Sequence, residues 1–219
     1  GISLGANINT HGGGLTINTH GNGVINQTAG TLTVSGTVNL TAGSNDISLN
    51  SATNDFDTVA VNSGKNVTLQ DANAIELDTS SISGDLNVTA NGNITDGGNI
   101  TVNGTATFAA GAGNDVNLNN DNDFNTVSVT SGKNVTLVDT NDLDLGASVV
   151  SRKLDVTAGG NITQSGALDV TSNTSTFTIK GGANKNVLLG TQANHFAGET
   201  VTIKATGGGS VQDVSFRNV

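Results

Sequence analysis

The stretch Gly64-Lys65-Asn66-Val67-Thr68-Leu69 recurs letter for letter at 132–137, which is 68 positions further along the chain. The similarity extends well beyond these six residues. Aligned without a gap, residues 56–95 match residues 124–163 at 24 of 40 positions. Internal repeats of this length are typical of solenoids and related repeat architectures, so the repeat governs every further inference about the fold.

A third, looser copy of the repeat begins at Asn186. In this copy, Asn194-His195-Phe196 takes the place of Asn54-Asp55-Phe56 and Asn122-Asp123-Phe124. Because repetition covers most of the chain, we expect one elongated body with no internal domain boundary. The expected organisation is a single rod over residues 1–219, with internal repeats at about 46–113, about 114–183 and, in part, 184–219.

The composition excludes several classes of protein. The 219 residues include 30 Gly but no Pro, Cys, Met, Trp or Tyr, and only 3% are aromatic. The net charge of −10 disfavours nucleic acid and anionic membranes as partners, because both need clustered positive charge. No run of about 18 apolar residues is present, so we expect no membrane insertion.

Short alternating runs predict β-strands throughout the chain. Apolar residues stand at positions i and i+2, usually around Ser, Thr, Asn or Asp, so that one face of each strand is apolar and the other polar. No segment carries a sustained apolar stripe of helical period. Examples of these runs are Ile2-x-Leu4, Leu32-x-Val34, Val67-x-Leu69, Leu86-x-Val88, Val135-x-Leu137 and Leu154-x-Val156.

Many short strands with Gly and Asn turns suit either an antiparallel sandwich or barrel, or a parallel β-solenoid. The repeat favours the solenoid, because stacked coils repeat strand, turn and flanking residues together. The absence of proline agrees, since a strand paired on both edges needs every backbone N–H. Each 68-residue unit would hold three coils of about 23 residues or four of about 17, which gives roughly 10–13 coils and a rod of roughly 50–60 Å.

The segments Ser83–Gly98 and Asn122–Val129 resemble the repeat region of filamentous haemagglutinin-type exoproteins. This resemblance covers nearly the whole chain. It implies a right-handed parallel β-helix, exported by a Gram-negative bacterium through an outer-membrane secretion pore in two-partner secretion. Such proteins act in adhesion, biofilm formation or contact-dependent competition. The Asn-Pro motifs of the family's secretion domain are absent from this proline-free chain, so the resemblance is to the shaft.

Calcium is the one metal ion that the sequence suggests. Gly111-Ala112-Gly113-Asn114-Asp115 is similar to part of a glycine-rich calcium-binding nonapeptide, although the nonapeptide does not recur in tandem. The pair Asp121-x-Asp123 offers two further carboxylates, which are ligands that calcium prefers. We nevertheless expect solvated polar turns without a metal ion at these positions, with calcium bound by Asp115, Asp121 and Asp123 as the alternative, and we expect no cofactor.

Other chemistry-bearing residues do not assemble into a site at this level. His11 and His20 lie in two copies of Asn-Thr-His-Gly without a third ligand for a metal ion, and His195 is expected at a turn. Lys65 and Lys133 occupy the repeated turn, which indicates a structural role. We expect Phe56, Phe124 and Phe196 to cap one internal corner as stacked core residues.

We therefore expect a non-catalytic, extracellular adhesin rod. Its partners would be flanking repeats of the same polypeptide, or other copies of itself end to end, and surface glycans of a host or of bacteria. One alternative is a subunit of a self-assembling extracellular filament. Another is a β-helical polysaccharide-active enzyme, but such enzymes need a Lys or Arg base, or a carboxylate pair, in a groove.

Overall fold

The computed structural model of the chain describes residues 1–172, 174–197 and 200–219. All pairings between its strands are parallel, and the described residues contain no helix, hence none that could cross a membrane. The expected parallel β-solenoid is confirmed, with about ten turns. The 24 strands are β1 (Ile2–Leu4), β2 (Ile8–Asn9), β3 (Leu15–Asn18), β4 (Ile25–Gln27), β5 (Leu32–Thr41), β6 (Ile47–Leu49), β7 (Asp55–Ser63), β8 (Val67–Asp71), β9 (Ile75–Leu77), β10 (Ser80–Ile82), β11 (Leu86–Ala90), β12 (Ile94–Asp96), β13 (Ile100–Ala109), β14 (Val116–Ser131), β15 (Val135–Asp139), β16 (Leu143–Leu145), β17 (Ser148–Val150), β18 (Leu154–Ala158), β19 (Ile162–Gln164), β20 (Leu168–Val170), β21 (Ser175–Lys180), β22 (Lys185–Phe196), β23 (Val201–Thr206) and β24 (Val211–Asn218).

Two long ladders of strands form the main walls of the solenoid. We call sheet A the ladder that runs through β4, β6, β8, β11 and the second half of β13. Sheet B is the ladder that starts at β3, β5 and β7 and continues through β9, β12 and β15. Between the ends of each ladder, a strand pairs with the strand one coil earlier and the strand one coil later, so backbone hydrogen bonds run along the axis of the rod.

The 68-residue repeat does not contain a whole number of coils. On sheet A, Val67 pairs with Leu86, Leu86 with Ala106, and Ala106 with Val127, so three coils take 60 residues. Val135, the repeat counterpart of Val67, lies eight residues beyond Val127 and on sheet B, where it pairs with Leu154. One unit therefore spans about three and a half coils. The expectation of three or four whole coils per unit is therefore wrong, and corresponding residues of successive units lie on different sheets.

In each unit, three further strand segments pair with one another in a short stack of their own, apart from sheets A and B. We call each of these three short stacks a ridge. The first and third ridges lie where the chain passes from sheet A to sheet B, and the second lies where it passes from B to A, as the half-coil offset requires. The ridges pair Ile8 with Leu32 and Val34 with Phe56; Ile82 with Val102 and Val102 with Phe124; and Val150 with Val170 and Val170 with Phe196.

Val, Ile, Leu and Phe side chains fill the interior. Phe56 and Phe124 are fully buried and Phe196 is 5% exposed, which confirms that all three belong to the core. They do not all stack at one corner, however, because the half-coil offset places Phe124 at the passage from sheet B to sheet A, whereas Phe56 and Phe196 lie where the chain passes from A to B. Phe124 instead contacts Phe108 edge to face, with 6.2 Å between ring centroids, and Phe196 contacts Phe177 in the same way at 6.2 Å.

Close approach between coils explains a recurring glycine. A Cβ atom added at Gly92 would lie 2.5 Å from the backbone nitrogen of Ala74 in the preceding coil. We expect Gly92→Ala to lower the free energy of unfolding by about 1–3 kcal/mol, because the two coils must separate. Gly113→Ala is the matched control, since nothing lies within 4 Å of the added atom. Urea denaturation measures both, and equal stability of the two variants would contradict the prediction.

Candidate functional site

Each ridge ends at a buried asparagine. Asn54, Asn122 and Asn194 are all fully buried. The Oδ1 atom of Asn54 accepts the backbone N–H of Leu32 at 2.9 Å. The same bond recurs between Asn122 and the N–H of Ile100 at 2.8 Å and between Asn194 and the N–H of Leu168 at 2.9 Å. In every unit, this asparagine thus accepts a backbone N–H of the ridge that would otherwise be buried without a partner. This role fits the recurrence of the asparagine two residues before the Phe.

A second polar side chain forms hydrogen bonds with the side-chain amide of each of these buried asparagines. Asn54 and Gln27 exchange two hydrogen bonds, of 2.8 and 2.9 Å, between their side-chain amides. Asn194 and Gln164 do the same at 3.0 and 2.8 Å. In the second unit, the Nδ2 group of Asn122 donates to the carboxylate of Asp96 at 2.8 Å. The amide groups of the three buried asparagines are therefore all paired, as buried polar groups generally are.

A carboxylate from the next coil covers the last strand of the ridge. The Oδ2 atom of Asp71 accepts the backbone N–H of Phe56 at 2.7 Å, and the Oδ2 atom of Asp139 accepts that of Phe124 at 2.6 Å. Both aspartates are nearly inaccessible, with 1% and 2% exposed. In the third unit, the Oδ1 atom of Asn218 accepts the N–H of Phe196 at 2.7 Å. Since a free strand edge invites further pairing, these side chains end the ridge.

Burial raises the pKa of both carboxyl groups from the ordinary value of 3.8, and that of Asp139 to about 6. Two backbone N–H bonds to each carboxylate oppose this effect, because they favour the ionised form. The negative charges of Asp55 near Asp71 and of Asp123 near Asp139 raise the pKa further. Asp139 therefore changes its charge close to neutral pH while it holds the edge of the ridge.

The raised pKa of Asp139 predicts a pH dependence of stability. The folded chain holds the proton up to a pH of about 6 and the unfolded chain only up to about 3.8. The resulting stabilisation is complete below the lower value and disappears as the pH rises through the higher one. Two pKa units correspond to roughly 3 kcal/mol, so we expect the free energy of unfolding to fall by up to that amount across this range.

Urea denaturation between these two pH values measures the effect. Asp139→Asn should reduce the slope without preventing folding, because Asn218 already fills the corresponding position with an amide. Asp71 contributes a slope of the same sign, which remains in that variant. The exposed substitution Asp46→Asn should keep the wild-type slope. An unchanged slope in Asp139→Asn would show that Asp139 is not the group responsible.

An open cleft lies beside the end of each of the first two ridges. The first is a cleft of about 420 Å³ that includes Asp55, Phe56 and Asn73 in its lining, and the second, of about 800 Å³, includes Asp123 and Phe124. Each cleft contains one hydrogen bond between an asparagine and an aspartate of its lining. The Nδ2 group of Asn73 donates to Asp55 at 2.9 Å, and Asn141 donates to Asp123 in the same way at 2.8 Å.

The larger cleft also has a positively charged side chain in its lining. Lys185 from a later coil lies 4.0 Å from the carboxylate of Asp142, and both side chains line the cleft. Together with Asn103, Asn125 and Thr140 they present hydrogen-bond donors and acceptors to solvent. Phe124 is too deeply buried to offer a ring face to a sugar. The cleft is chemically suited to weak polar contacts.

Comparison with known protein families identifies the chain as three consecutive repeats of one family. A family model described as repeats of unknown function matches the chain three times, at residues 1–63, 64–131 and 132–211. The chain belongs to this family, DUF5649. No curated protein and no solved structure matches the chain at a significant level. The second and third DUF5649 repeats begin at Gly64 and Gly132, the first residues of the recurring hexapeptide.

The three calcium candidates do not come together in the DUF5649 repeats. Asp115 accepts hydrogen bonds from the backbone N–H and the side chain of Asn134, at 3.2 and 2.9 Å. Asp121 lies 3.7 Å from Lys180, and Asp123 is bonded to Asn141. Within the part of the chain that the structure describes, no three acidic, His or Cys side chains form a group able to hold a metal ion.

The histidines occupy two kinds of position. His11 and His20 adopt left-handed backbone conformations in two similar turns, where their N–H groups donate to the side chains of Asn9 and Asn18 at 2.9 and 2.6 Å. His195 lies in strand β22 and not at a turn. Its Nδ1 atom is 2.9 Å from Asp169, directly opposite in the adjoining strand, so pairing between strands sets its position.

Sequence reasoning did not single out the residues that close the ridges. Asp71 and Asp139 are identical in the gapless alignment, and each is followed two residues later by an asparagine. That recurrence was the available signal. It was insufficient because aspartate before Asn is equally typical of an exposed turn, and only the pairing of coils shows that these two are buried.

Proposed function

We propose that this DUF5649 chain is a non-catalytic, extracellular rod that serves as a shaft segment of a filamentous haemagglutinin-like surface adhesin. Its role is to hold a binding region at a fixed distance from the cell. The observation that carries the proposal is the unbroken parallel ladder, in which every coil bonds to the next along one axis. A solenoid of this kind depends on contacts between neighbouring coils along its whole length.

The polar exterior supports the same proposal. The core is built from aliphatic and Phe side chains, whereas the residues between them on each strand are mostly Thr, Asn, Ser and Asp. A net charge of −10 on this surface favours solubility of an extended rod and discourages lateral association between rods. The ridge-closing residues Asp71 and Asp139 also cover strand edges along the side of the rod.

Spin labels can test the rigidity that the proposal requires. The chain has no cysteine, so Ser48→Cys and Ser128→Cys introduce two unique attachment sites. Both residues lie on the polar face of sheet A, four coils apart through Thr68, Asn87 and Thr107. At about 4.8 Å per coil we expect a narrow distance distribution centred near roughly 19 Å, broadened only by the labels.

A broad distribution or a much longer mean distance would contradict a rigid shaft. The chain should also leave acidic and neutral polysaccharides intact after long incubation. Release of unsaturated sugar ends would instead identify a lyase and overturn the non-catalytic assignment. The spin-label distances report rigidity and the polysaccharide incubation reports catalysis. A rigid enzyme would fail only the second test, and a flexible non-catalytic spacer would fail only the first.

A further inference from the structure

A small polar cleft lies on the side of the rod, apart from the ridges. Sheet B continues from β15 through β18, β21 and β23, and the cleft of about 260 Å³ runs along the outward face of these strands. Apart from the buried residue Val156, every residue of its lining carries a hydroxyl group or a charge. These residues are Thr136, Lys153, Asp155, Thr157, Thr176, Thr178 and Lys204.

Thr178 brings to this cleft a hydroxyl group that has no hydrogen-bond partner among the described residues. The residue is only 7% exposed, although it alternates along β21 with the core residues Phe177 and Ile179 and therefore faces outward. Polar groups at such depth are generally paired. The hydroxyl of Thr178 is thus available to a ligand that enters the cleft.

The lining of the cleft has a positive net charge, although the chain as a whole carries −10. Lys153 contacts the carboxylate of Asp155, so these two charges balance each other. Lys204 lies directly opposite Thr178 in the adjoining strand, and no described acidic side chain forms an ion pair with it. An unbalanced ammonium group beside an available hydroxyl favours a ligand with a negatively charged acceptor group.

The preceding unit provides an internal comparison, because β8, β11 and β13 pair in the same way as β15, β18 and β21. Three positions of the cleft differ between the two units. Asp85 corresponds to Lys153, Ala109 to Thr178 and Ser131 to Lys204. Two of these differences add a cation and one adds a hydroxyl donor, whereas the earlier unit forms the same strands without them. The fold therefore does not require this combination of side chains.

We propose that this cleft binds one oxyanion group, such as a sulfate or the carboxylate of a sugar acid. The ammonium group of Lys204 balances the charge of the anion, and the hydroxyl of Thr178 donates a hydrogen bond to it. The hydroxyls of Thr157 and Thr176 line the same cleft and are suited to polar neighbours of the anionic group. Because the acidic surface of the rod repels a continuous polyanion, the site suits a ligand with isolated negative charges. The proposal does not depend on the shaft function.

The test is an NMR titration of the isotope-labelled chain with sodium sulfate, sodium glucuronate and glucose. Sodium chloride keeps the ionic strength constant, because salt screens exposed charges. We expect saturable shifts of the Thr178 and Lys204 amide signals with both anions, at roughly millimolar Kd, and none with uncharged glucose. Tighter binding of glucuronate would identify a sugar acid as the source of the group, and tighter binding of sulfate would identify a sulfate. Absence of saturable shifts with either anion would overturn the site.

Matched variants identify the groups that hold the anion. Lys204→Gln and Thr178→Ala should each weaken binding about tenfold, whereas Thr178→Ser, which retains the hydroxyl, should bind as the wild type does. Thr178→Ala should fold, because Ala109 occupies the corresponding position in the preceding unit. Lys65→Gln removes an exposed lysine far from the cleft and should leave binding unchanged.

Asp155→Asn should have the opposite effect. It removes the one carboxylate of the lining and releases Lys153, so we expect tighter binding of both anions. Asn87 is the counterpart of Asp155 in the preceding unit, so an amide is compatible with the strand. Weaker binding by this variant, or wild-type binding by Lys204→Gln, would overturn the proposed site.

Discussion

Deletion of residues 64–131 is expected to give a folded rod that is shorter by about three and a half coils, or roughly 17 Å. The new junction joins Ser63 to Gly132, and this Ser-Gly pair already occurs in the chain at 63–64 and at 131–132. After the deletion, Asp139 reaches the N–H of Phe56 in the place of Asp71. Since neighbouring coils stabilise one another, we expect a modest loss of stability and retained cooperativity.

The matched control removes half as many residues and should do much more damage. Deletion of residues 72–105 joins Asp71 to Ala106, and the strands on both sides of that junction belong to sheet A. The chain would have to enter sheet A twice without passing through sheet B. We expect this variant to lose cooperative unfolding altogether, because no in-register continuation is available to the following coils.

Circular dichroism, thermal unfolding and small-angle X-ray scattering distinguish the two deletions. A folded 72–105 deletion together with an unfolded 64–131 deletion would contradict the half-coil repeat. An intact 64–131 deletion whose length is unchanged would contradict the parallel stack itself. The pair of variants therefore tests the architecture more directly than any single substitution.

The strands and the solenoid were accessible from the sequence because both depend on local patterns. Alternation of apolar and polar residues marks runs such as Val67-x-Leu69 and Leu86-x-Val88, and both are strands with their apolar residues inside. The repeat of strand, turn and flanking residues favoured stacked coils over hairpins. These inferences require only side-chain periodicity and the recurrence of a whole unit.

The length of the coil was not accessible in the same way. Paired residues are 18 positions apart at Thr58 and Glu76 but 26 apart at Ser175 and Val201. The corners, whose length varies, set these distances, and the alternation of residues within strands carries no information about them. Three or four coils per unit were therefore the simplest expectations, and the half coil followed only from the register between strands.

The half coil also explains why the candidate site was missed. Phe56 and Phe124 are sequence counterparts, yet they lie on different ladders, so a picture of identical stacked corners places them wrongly. The side chains that close the ridges come from the next coil, 15 residues away at Asp71 and again at Asp139. No local sequence pattern connects residues at that separation, because the distance depends on the corner between them.

Replacement of Asn54 by alanine is expected to lower the free energy of unfolding by about 3–5 kcal/mol. The substitution removes the acceptor for the N–H of Leu32 and both hydrogen bonds to the amide of Gln27. Leu32 is fully buried and Gln27 is 6% exposed, so water does not replace the lost partners. The N–H of Leu32, left without a partner, costs about 1–3 kcal/mol, and the two lost amide bonds add about 1 kcal/mol each. Gln27 itself keeps its hydrogen bonds to Gly30 and Ser51.

The exposed residue Asn62 provides the matched control, because its side chain makes one long hydrogen bond, of 3.3 Å, to Thr41. Asn62→Ala should change stability by no more than about 0.5 kcal/mol. In a double-mutant cycle, Gln27→Ala should cost much less in the Asn54→Ala background than in the wild type, because its partner is already absent. Additive losses would show that the two amides act independently, and the closed ridge would then depend on backbone pairing and on the carboxylate of Asp71.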